Sequence, residues 1–352
     1  MSSLLAEYRK LISEEMASFF ENKENHFKYT NQWGTDTIKK LRDFTLGGKM
    51  LRGSLLVLSA KMYSDEILKS AIQTAISMEL FQSGFLIHDD IMDRDIFRRG
   101  NKTIFYQYTE LFNKKKYAES YHLAESMGIC AGDIAFFLGF ENLCFAIKEE
   151  TKLKNTLELF SRELSYVCLG QMDDIYLSAL KENILEERIL SIYLYKTARY
   201  TFSLPLMAGA ILANAKTDEI KKLEIIGKNL GIIFQITDDW LGLYGSEEKI
   251  GKPVGSDIKE NKKTLFYYYL FKNASAKDKS YLLKISGSKK VNQKIVNKVR
   301  DLIEKYGIKE IIKDRMEKLA SMLKSQISEL NVKENYKAEL LNLLEYNLSR
   351  SQ

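Results

Sequence analysis

The chain contains only two prolines, Pro205 and Pro253, among 352 residues. Ordinary usage of ~5% would give about eighteen. Proline removes a backbone hydrogen-bond donor and clashes inside helices, so its scarcity is typical of a chain that is mostly helical. The 19 glycines are also few for a fold built on tight turns. We therefore expect an all-α fold.

Apolar residues recur at helical spacing along most of the chain, and no linker or repeat divides it. We expect one large helical bundle over residues 1–352, with an N-terminal helix region at 1–45 and a candidate insertion loop at 275–293. A turn is predicted at 31–35 and a loop at 245–263. Helices are predicted over 4–21, 51–63, 65–93, 119–148, 153–180, 186–213 and 218–243, with two or three more to about residue 349.

The charge and cysteine content narrow the class of protein. The net charge of +6, from 53 basic and 47 acidic residues, is too small over this length to indicate nucleic-acid binding. No run reaches the ~18 apolar residues of a spanning helix, so we expect no stable membrane insertion. Cys130, Cys144 and Cys168 form no CxxC motif and lie in apolar helical segments. They predict buried thiols in a reducing compartment, which favours the cytoplasm.

A cluster of aspartates ends the predicted helix 65–93. Asp89 and Asp93 lie one turn apart on one helix face, and Asp90 stands beside them. Stacked carboxylates repel each other and oppose the helix dipole at its C-terminal end. A solvated helix end would tolerate that arrangement, and so would a cation-binding site.

A second acidic pair, Asp238 and Asp239, lies late in another apolar helix. Carboxylates on separate helices can face each other across a bundle core, where helical proteins build metal sites. Oxygen ligands favour Mg²⁺ or Mn²⁺. Only three histidines are present, none lies in a His-Glu-x-x-His motif, and Glu-x-x-His occurs once, at 119–122, where a di-iron bundle site uses two; this argues against zinc or di-iron.

Basic residues stand close to both clusters and next to glycines, where they could bind the diphosphate that a magnesium site would hold. Any one of them alone is more often a surface charge. They are Lys49, Arg52, Arg98, Arg99, Lys196, Arg199, Lys252, Lys259, Lys262 and Lys263.

Five segments that contain these acidic and basic residues occur in the order found in a known family. On them the chain resembles the trans-isoprenyl diphosphate synthases, the polyprenyl synthetase family. The resemblance rests on GGKMLRG (Gly47–Gly53), LIHDDIMDRDIFRRG (Leu86–Gly100), GQMDD (Gly170–Asp174), YKTARYTF (Tyr195–Phe202) and the stretch from Phe234 to Thr264. It implies the isoprenoid-synthase fold, an all-α bundle around a central cavity.

The resemblance also implies roles for single residues. Mg²⁺ for the allylic diphosphate would be bound by Asp89 and Asp93, with Asp90 in support, and by Asp238, with Asp239 behind it. Three Mg²⁺ ions are implied, with Mn²⁺ as a substitute. The isopentenyl diphosphate residues would be Lys49, Arg52, Gln82 and Arg99. The allylic residues would be Arg98, Lys196, Thr197, Gln235, Lys252 and Lys262.

The chain departs from the family pattern at two positions. Gly242 stands where the second cluster usually has its third aspartate, as in archaeal-type members, and Met50 replaces a usual basic residue. Gly242 leaves open a metal role beyond the Asp238–Asp239 pair.

The implied reaction is 1′-4 head-to-tail condensation of isopentenyl diphosphate with an allylic diphosphate through a carbocation. Met78 and Phe85 share the helix face of Asp89 and are candidates for the pocket floor that stops the growing chain, although most such residues are ordinary core. In the family, bulky residues four or five positions before the first aspartate shorten the product, so the resemblance, with bulky Phe85 and small Gly84, implies a short product, with C20 favoured over C15. A farnesyl (C15) or longer product, a terpene cyclase and a non-catalytic subunit of a heteromeric synthase are the alternatives. The class also implies a homodimer.

Overall fold

The computed structural model describes residues 3–181, 184–245, 254–288 and 290–350. Within these ranges the only strands are the two short strands of one antiparallel hairpin, and helices make up most of the rest. The all-α prediction is confirmed.

The described helices range from 4 to 30 residues in length. Their bounds are α1 Ser3–Phe27, α2 Gln32–Leu46, α3 Leu51–Met62, α4 Lys69–Asp93, α5 Ile104–Lys114, α6 Ser120–Ala146, α7 Glu150–Ala179, α8 Glu186–Ile192, a π-helix Tyr193–Ser203, α9 Leu204–Leu212, α10 Thr217–Tyr244, α11 Ser256–Lys259, α12 Leu265–Asn273, α13 Ala276–Ile285, α14 Gln293–Lys305, α15 Ile308–Ser328 and α16 Glu334–Ser349. The hairpin pairs β1 Phe97–Arg98 with β2 Asn101–Lys102.

The chain divides into two compact units. The first comprises Met1–Glu158 with Ala208–Ala215, and α4 is its central helix, packed against α1, α3 and α6. The second comprises Leu159–Met207 with Lys216–Gln352, and α10 is central there, packed against the π-helix, α15 and α16. Organisation as one domain stays a prediction.

The central helix α4 has buried residues on every side, from Ala71 to Asp90. A helix that is apolar all round belongs in a protein interior. This burial fixes the C-terminal end of α4, where the first aspartate cluster lies. The bundle therefore holds that cluster on a rigid element.

Several local expectations were wrong. No turn occupies 31–35, because the Asn31 side chain accepts the Trp33 N–H at 2.8 Å and caps a helix that begins at Gln32. The predicted helix 65–93 begins only at Lys69. The predicted insertion loop 275–293 contains α13, which the Ser275 side chain caps.

The three cysteines are free thiols, and all of them are exposed, so the expectation of buried thiols was wrong. They lie on outward faces of α6 and α7, which apolar sequence context alone does not distinguish from inward faces.

Helix α6 is also long and apolar enough to cross a membrane by length and composition. One window has mean hydropathy 1.5, with 39% of its residues buried. A core helix of a soluble protein passes the same test, so this is weak support for a span.

Candidate active site

The first acidic cluster ends α4, and the β-hairpin brings Arg98 against it. Arg98 Nη2 donates to Asp89 Oδ2 at 3.2 Å, Arg98 Nε donates to Asp90 Oδ1, and Asp95 lies 3.7 Å from the same guanidinium. The Asp90 side chain is 1% exposed, whereas that of Asp89 is 23% exposed. Asp89 and Asp93 remain half-buried. The cation that stacked carboxylates require is thus supplied in part by the chain itself.

Burial raises the pKa of Asp90 to about 7, although Arg98 acts to lower it. Among the described residues nothing donates a hydrogen bond to Asp90 Oδ2, which is buried. A buried carboxylate oxygen without a donor is costly unless something else satisfies it. An oxygen of this kind fits a site that binds a hard cation or its water.

The hairpin turn sends the two neighbouring arginines to different places. Arg99 and Gly100 both have positive φ, 54° and 77°, as a two-residue hairpin turn requires. Arg98 reaches the aspartates, while Arg99 Nη1 donates to the Phe44 carbonyl at 3.4 Å. Arg99 Nη1 would also lie 3.0 Å from a Cβ at Gly48. The Arg99 side chain therefore lies beside the segment that carries Lys49 and Arg52.

That segment connects α2 to α3. Lys49 is exposed, whereas Met50 is 1% exposed, has φ +49° and accepts a hydrogen bond from the Ser13 hydroxyl at 3.3 Å. Burial explains why an apolar residue suits this position. Arg52 and Gln82, on α3 and α4, are half-buried.

The second acidic cluster separates into one exposed and one buried carboxylate. Asp238 is exposed, whereas Asp239 is 5% exposed. Asp239 Oδ1 accepts from Gln235 Nε2 at 2.9 Å, and Asp239 Oδ2 accepts from the Tyr193 hydroxyl. Burial holds the pKa of Asp239 well above its usual range. Both oxygens of Asp239 are therefore hydrogen-bonded within the protein, and its supporting role at a metal site stays a prediction.

The π-helix carries the next two predicted residues. Thr197 Oγ1 donates to Gln235 Oε1 at 2.8 Å, which links Thr197 through Gln235 to Asp239. Lys196 Nζ donates to Asp174 Oδ2 at 2.5 Å. Extended π-helical geometry is rare and occurs mainly at functional sites. It replaces the uninterrupted helix that the sequence predicts here.

Two predicted lysines belong to the segment after α10. Lys262 Nζ lies 3.1 Å from Glu260 and 3.9 Å from Asp257. Lys252 lies outside the described residues, so its role stays a prediction.

The carboxylate of Asp257 lies close to the position where the family pattern has its third aspartate. A Cβ at Gly242 would be 2.9 Å from Asp257 Oδ2. The Gly255 N–H also donates to the Gly242 carbonyl at 3.1 Å, which fixes α11 against α10. A carboxylate therefore lies beside position 242 although that residue has no side chain.

The predicted chain-length residues lie along α4 where it meets α6. The rings of Phe85 and Phe136 pack edge to face, with centroids 4.8 Å apart. A Cβ at Gly84 would be 3.0 Å from both Phe136 and the Gly132 carbonyl, so the glycine allows close helix packing. Met78 is fully buried. Their effect on product length stays a prediction.

Sequence reasoning missed four residues of these networks. Tyr193 and Phe136 were not considered, and Asp174 and Asp257 were noted only as parts of motifs. Spacing within one helix gives no sign of partners that arrive from another helix.

No group of three or more His, Cys, Asp or Glu side chains is arranged to hold a metal within the part of the chain that the structure describes. Mg²⁺ usually takes one or two carboxylates together with water and substrate phosphates. The available donors are carboxylate oxygens, so their chemistry fits Mg²⁺.

Comparisons with known proteins agree with the fold and the motifs. Geranylgeranyl diphosphate synthase of Sulfolobus acidocaldarius is 32% identical over 268 residues, covering 75% of this chain and 76% of that protein. A short chain isoprenyl diphosphate synthase of Methanothermobacter thermautotrophicus is 33% identical, covering 76% of this chain and 75% of that protein.

Among solved structures, geranylgeranyl pyrophosphate synthase from Corynebacterium glutamicum, complexed with isoprenyl diphosphate and magnesium, has a TM-score of 0.92 at 27% identity. The match covers 98% of this chain and 99% of that one. The polyprenyl synthetase family matches residues 35–303. The chain belongs to the polyprenyl synthetase family.

Proposed function

We propose that this chain is a prenyltransferase that condenses isopentenyl diphosphate with an allylic diphosphate to give a C20 prenyl diphosphate. The observation that carries the proposal is the β-hairpin, which places Arg98 on the first aspartate cluster and Arg99 beside the segment of Lys49 and Arg52. Adjacent arginines that serve two anion sites suit an enzyme with two diphosphate substrates. The relatives named geranylgeranyl diphosphate synthase support the C20 product.

We propose that Asp89, Asp93 and Asp238 bind Mg²⁺ for the allylic diphosphate, with Asp90 and Asp239 in support. Bound Mg²⁺ would stabilise the negative charge of the leaving diphosphate. Arg98, Lys196, Lys252 and Lys262 add positive charge on this proposal. Lys49, Arg52, Gln82 and Arg99 would bind isopentenyl diphosphate.

The reaction then needs the chain mainly to orient the substrates and to exclude water. The allylic C1–O bond breaks, the C3=C4 double bond of isopentenyl diphosphate attacks C1, and the departing pyrophosphate takes the proton that is lost. Thr197 and Gln235, linked at 2.8 Å, present fixed dipoles that can stabilise the allylic cation. No side chain of the protein has to act as the base.

We propose that the functional form is a homodimer that contacts itself through α6. Ile129, Phe137 and Phe145 on that helix are 47%, 71% and 63% exposed. Exposed apolar side chains along one helix are typical of an interaction surface. Sedimentation should give a dimer, and Phe137→Lys should give a monomer.

The exposed thiols fit a reducing compartment such as the cytoplasm.

The test is product analysis of the purified chain with Mg²⁺, labelled isopentenyl diphosphate, and dimethylallyl, geranyl or farnesyl diphosphate as starter. We expect a C20 diphosphate from all three. A dominant C15 or longer product would correct the product assignment. Cyclised products would indicate a terpene cyclase, and no product without a second chain would indicate a subunit of a heteromeric synthase.

A further inference from the structure

Glu79 is a buried carboxylate on α4 to which the family resemblance gave no role. It is 5% exposed and lies ten residues before Asp89. Its Oε1 accepts the backbone N–H of Gly53 at 2.8 Å. Gly53 is the third residue of α3, directly after Arg52.

This hydrogen bond caps α3 from another helix. The first N–H groups of a helix have no partner within the helix, and a side chain before the helix usually satisfies one of them. Met50 stands at that position and makes no side-chain capping bond. Glu79 supplies the acceptor instead, and its negative charge suits the positive end of the helix dipole.

Close packing holds the same turn against α4. A Cβ at Gly53 would lie 3.2 Å from Ala75 Cβ and 3.3 Å from the Ala75 carbonyl oxygen. A side chain at this position would crowd α4, so the glycine favours the close approach of the two helices. The Glu79 cap and this contact together fix where the first turn of α3 lies.

The Glu79 carboxyl interacts electrostatically with the arginines of this region. Burial raises the pKa of Glu79, while the Gly53 N–H and the charges of Arg52 and Arg99 lower it. A buried carboxylate is costly without such compensation.

We propose that Glu79 is a positioning residue for isopentenyl diphosphate: by capping α3 it holds Arg52 in place relative to Arg99. This inference rests on the proposed function, in which both arginines bind that substrate. Glu79 itself touches no substrate on this account.

Two variants perturb the Glu79–Gly53 hydrogen bond in different ways. Glu79→Asp keeps the charge but shortens the reach to Gly53, and Glu79→Gln keeps the shape but removes the charge. We expect each to raise KM for isopentenyl diphosphate about fivefold, because a charge-assisted hydrogen bond is lost or weakened. KM for the allylic diphosphate should stay within about twofold. Direct titration with isopentenyl diphosphate alone should show the same loss of affinity.

The matched control is Glu219→Gln. Glu219 is also buried, 7% exposed, and its carboxylate accepts the Asn331 N–H at 2.9 Å, but it belongs to the other unit. This variant should lower thermal stability without changing either KM. An unchanged KM for isopentenyl diphosphate in both Glu79 variants would overturn the inference, as would equal rises in both KM values. A lower KM in Glu79→Gln alone would show that Glu79 only competes with the substrate.

Hydrogen exchange in the unmodified protein gives a second test that needs no variant to fold. The Gly53 amide should exchange slowly, and a freely exchanging amide would overturn the cap. If the unmodified enzyme neither binds nor condenses isopentenyl diphosphate, the proposed function fails instead.

Discussion

Replacing Phe85 by alanine should lengthen the product. At 1.5 Å per residue, Phe85 lies ~6 Å before Asp89 along α4, whereas Met78 on the same face lies ~16 Å before it. Removing the Phe85 ring also removes its packing against Phe136. Phe81, one turn earlier, also packs against Phe136, so the next large apolar side chain is then ~6 Å farther along the axis. We expect products at least one five-carbon unit longer than those of the unmodified enzyme.

The assay is chromatography of dephosphorylated products from labelled isopentenyl diphosphate and farnesyl diphosphate. Phe→Ala in a core costs ~3–5 kcal/mol, and Phe85 is only half-buried, so we expect a smaller loss of stability. The matched control is Leu80→Ala, which empties a fully buried site on a different face of α4. It should lower stability without lengthening the product.

The same product distribution in Phe85→Ala and the unmodified enzyme would refute this reasoning. So would an equal shift in Leu80→Ala, because the cause would then be general loosening of α4.

Three further predictions each concern one residue. Glu163→Gln should lower the unfolding free energy by ~3–5 kcal/mol in urea denaturation, because fully buried Glu163 pairs with Arg199 at 2.6 Å; a loss below ~1 kcal/mol would contradict this. Burial lowers the pKa of Lys263 to about 8, so the unfolded state binds more protons than the folded state between pH 8 and the usual lysine pKa of ~10.4. The unfolding free energy should therefore rise by up to ~2 kcal/mol from pH 8 to 10, and Lys263→Met should lack that rise; equal slopes would disprove it. Gly242→Ala should displace the Asp257 carboxylate, which lies 2.9 Å from the new Cβ, and so reduce the thermal stabilisation by Mg²⁺ with pyrophosphate. Stabilisation equal to that of the unmodified protein would show that Asp257 does not matter there.

The sequence was sufficient for the features that depend on local pattern. Helical spacing gave α3, α6, α7 and α10 to within a few residues, and the aspartate spacing placed Asp89 and Asp93 at the end of one helix. It failed where a single side chain decides the outcome. The Asn31 cap turned a predicted turn into the start of α2.

Contacts between distant parts of the chain could not be predicted. The Tyr193 hydroxyl reaches Asp239 across 46 positions, and Glu79 reaches Gly53 across 26. The spacing also could not show that Asp239 would be buried while Asp238 is exposed, because both lie in one apolar run. The π-helix at Tyr193–Ser203 has no sequence signature that distinguishes it from an α-helix.

The most direct test of the account is calorimetric titration of Mg²⁺ into the protein with pyrophosphate present. We predict saturable binding to the unmodified chain and at least a ~10-fold loss of affinity in Asp89→Asn and in Asp238→Asn, because each removes a metal ligand. Asp218→Asn, a loss of one exposed carboxylate at the other end of α10, should bind as the unmodified chain does. Equal affinity in all four proteins would contradict the claim that the two aspartate clusters hold the magnesium of a prenyl diphosphate synthase.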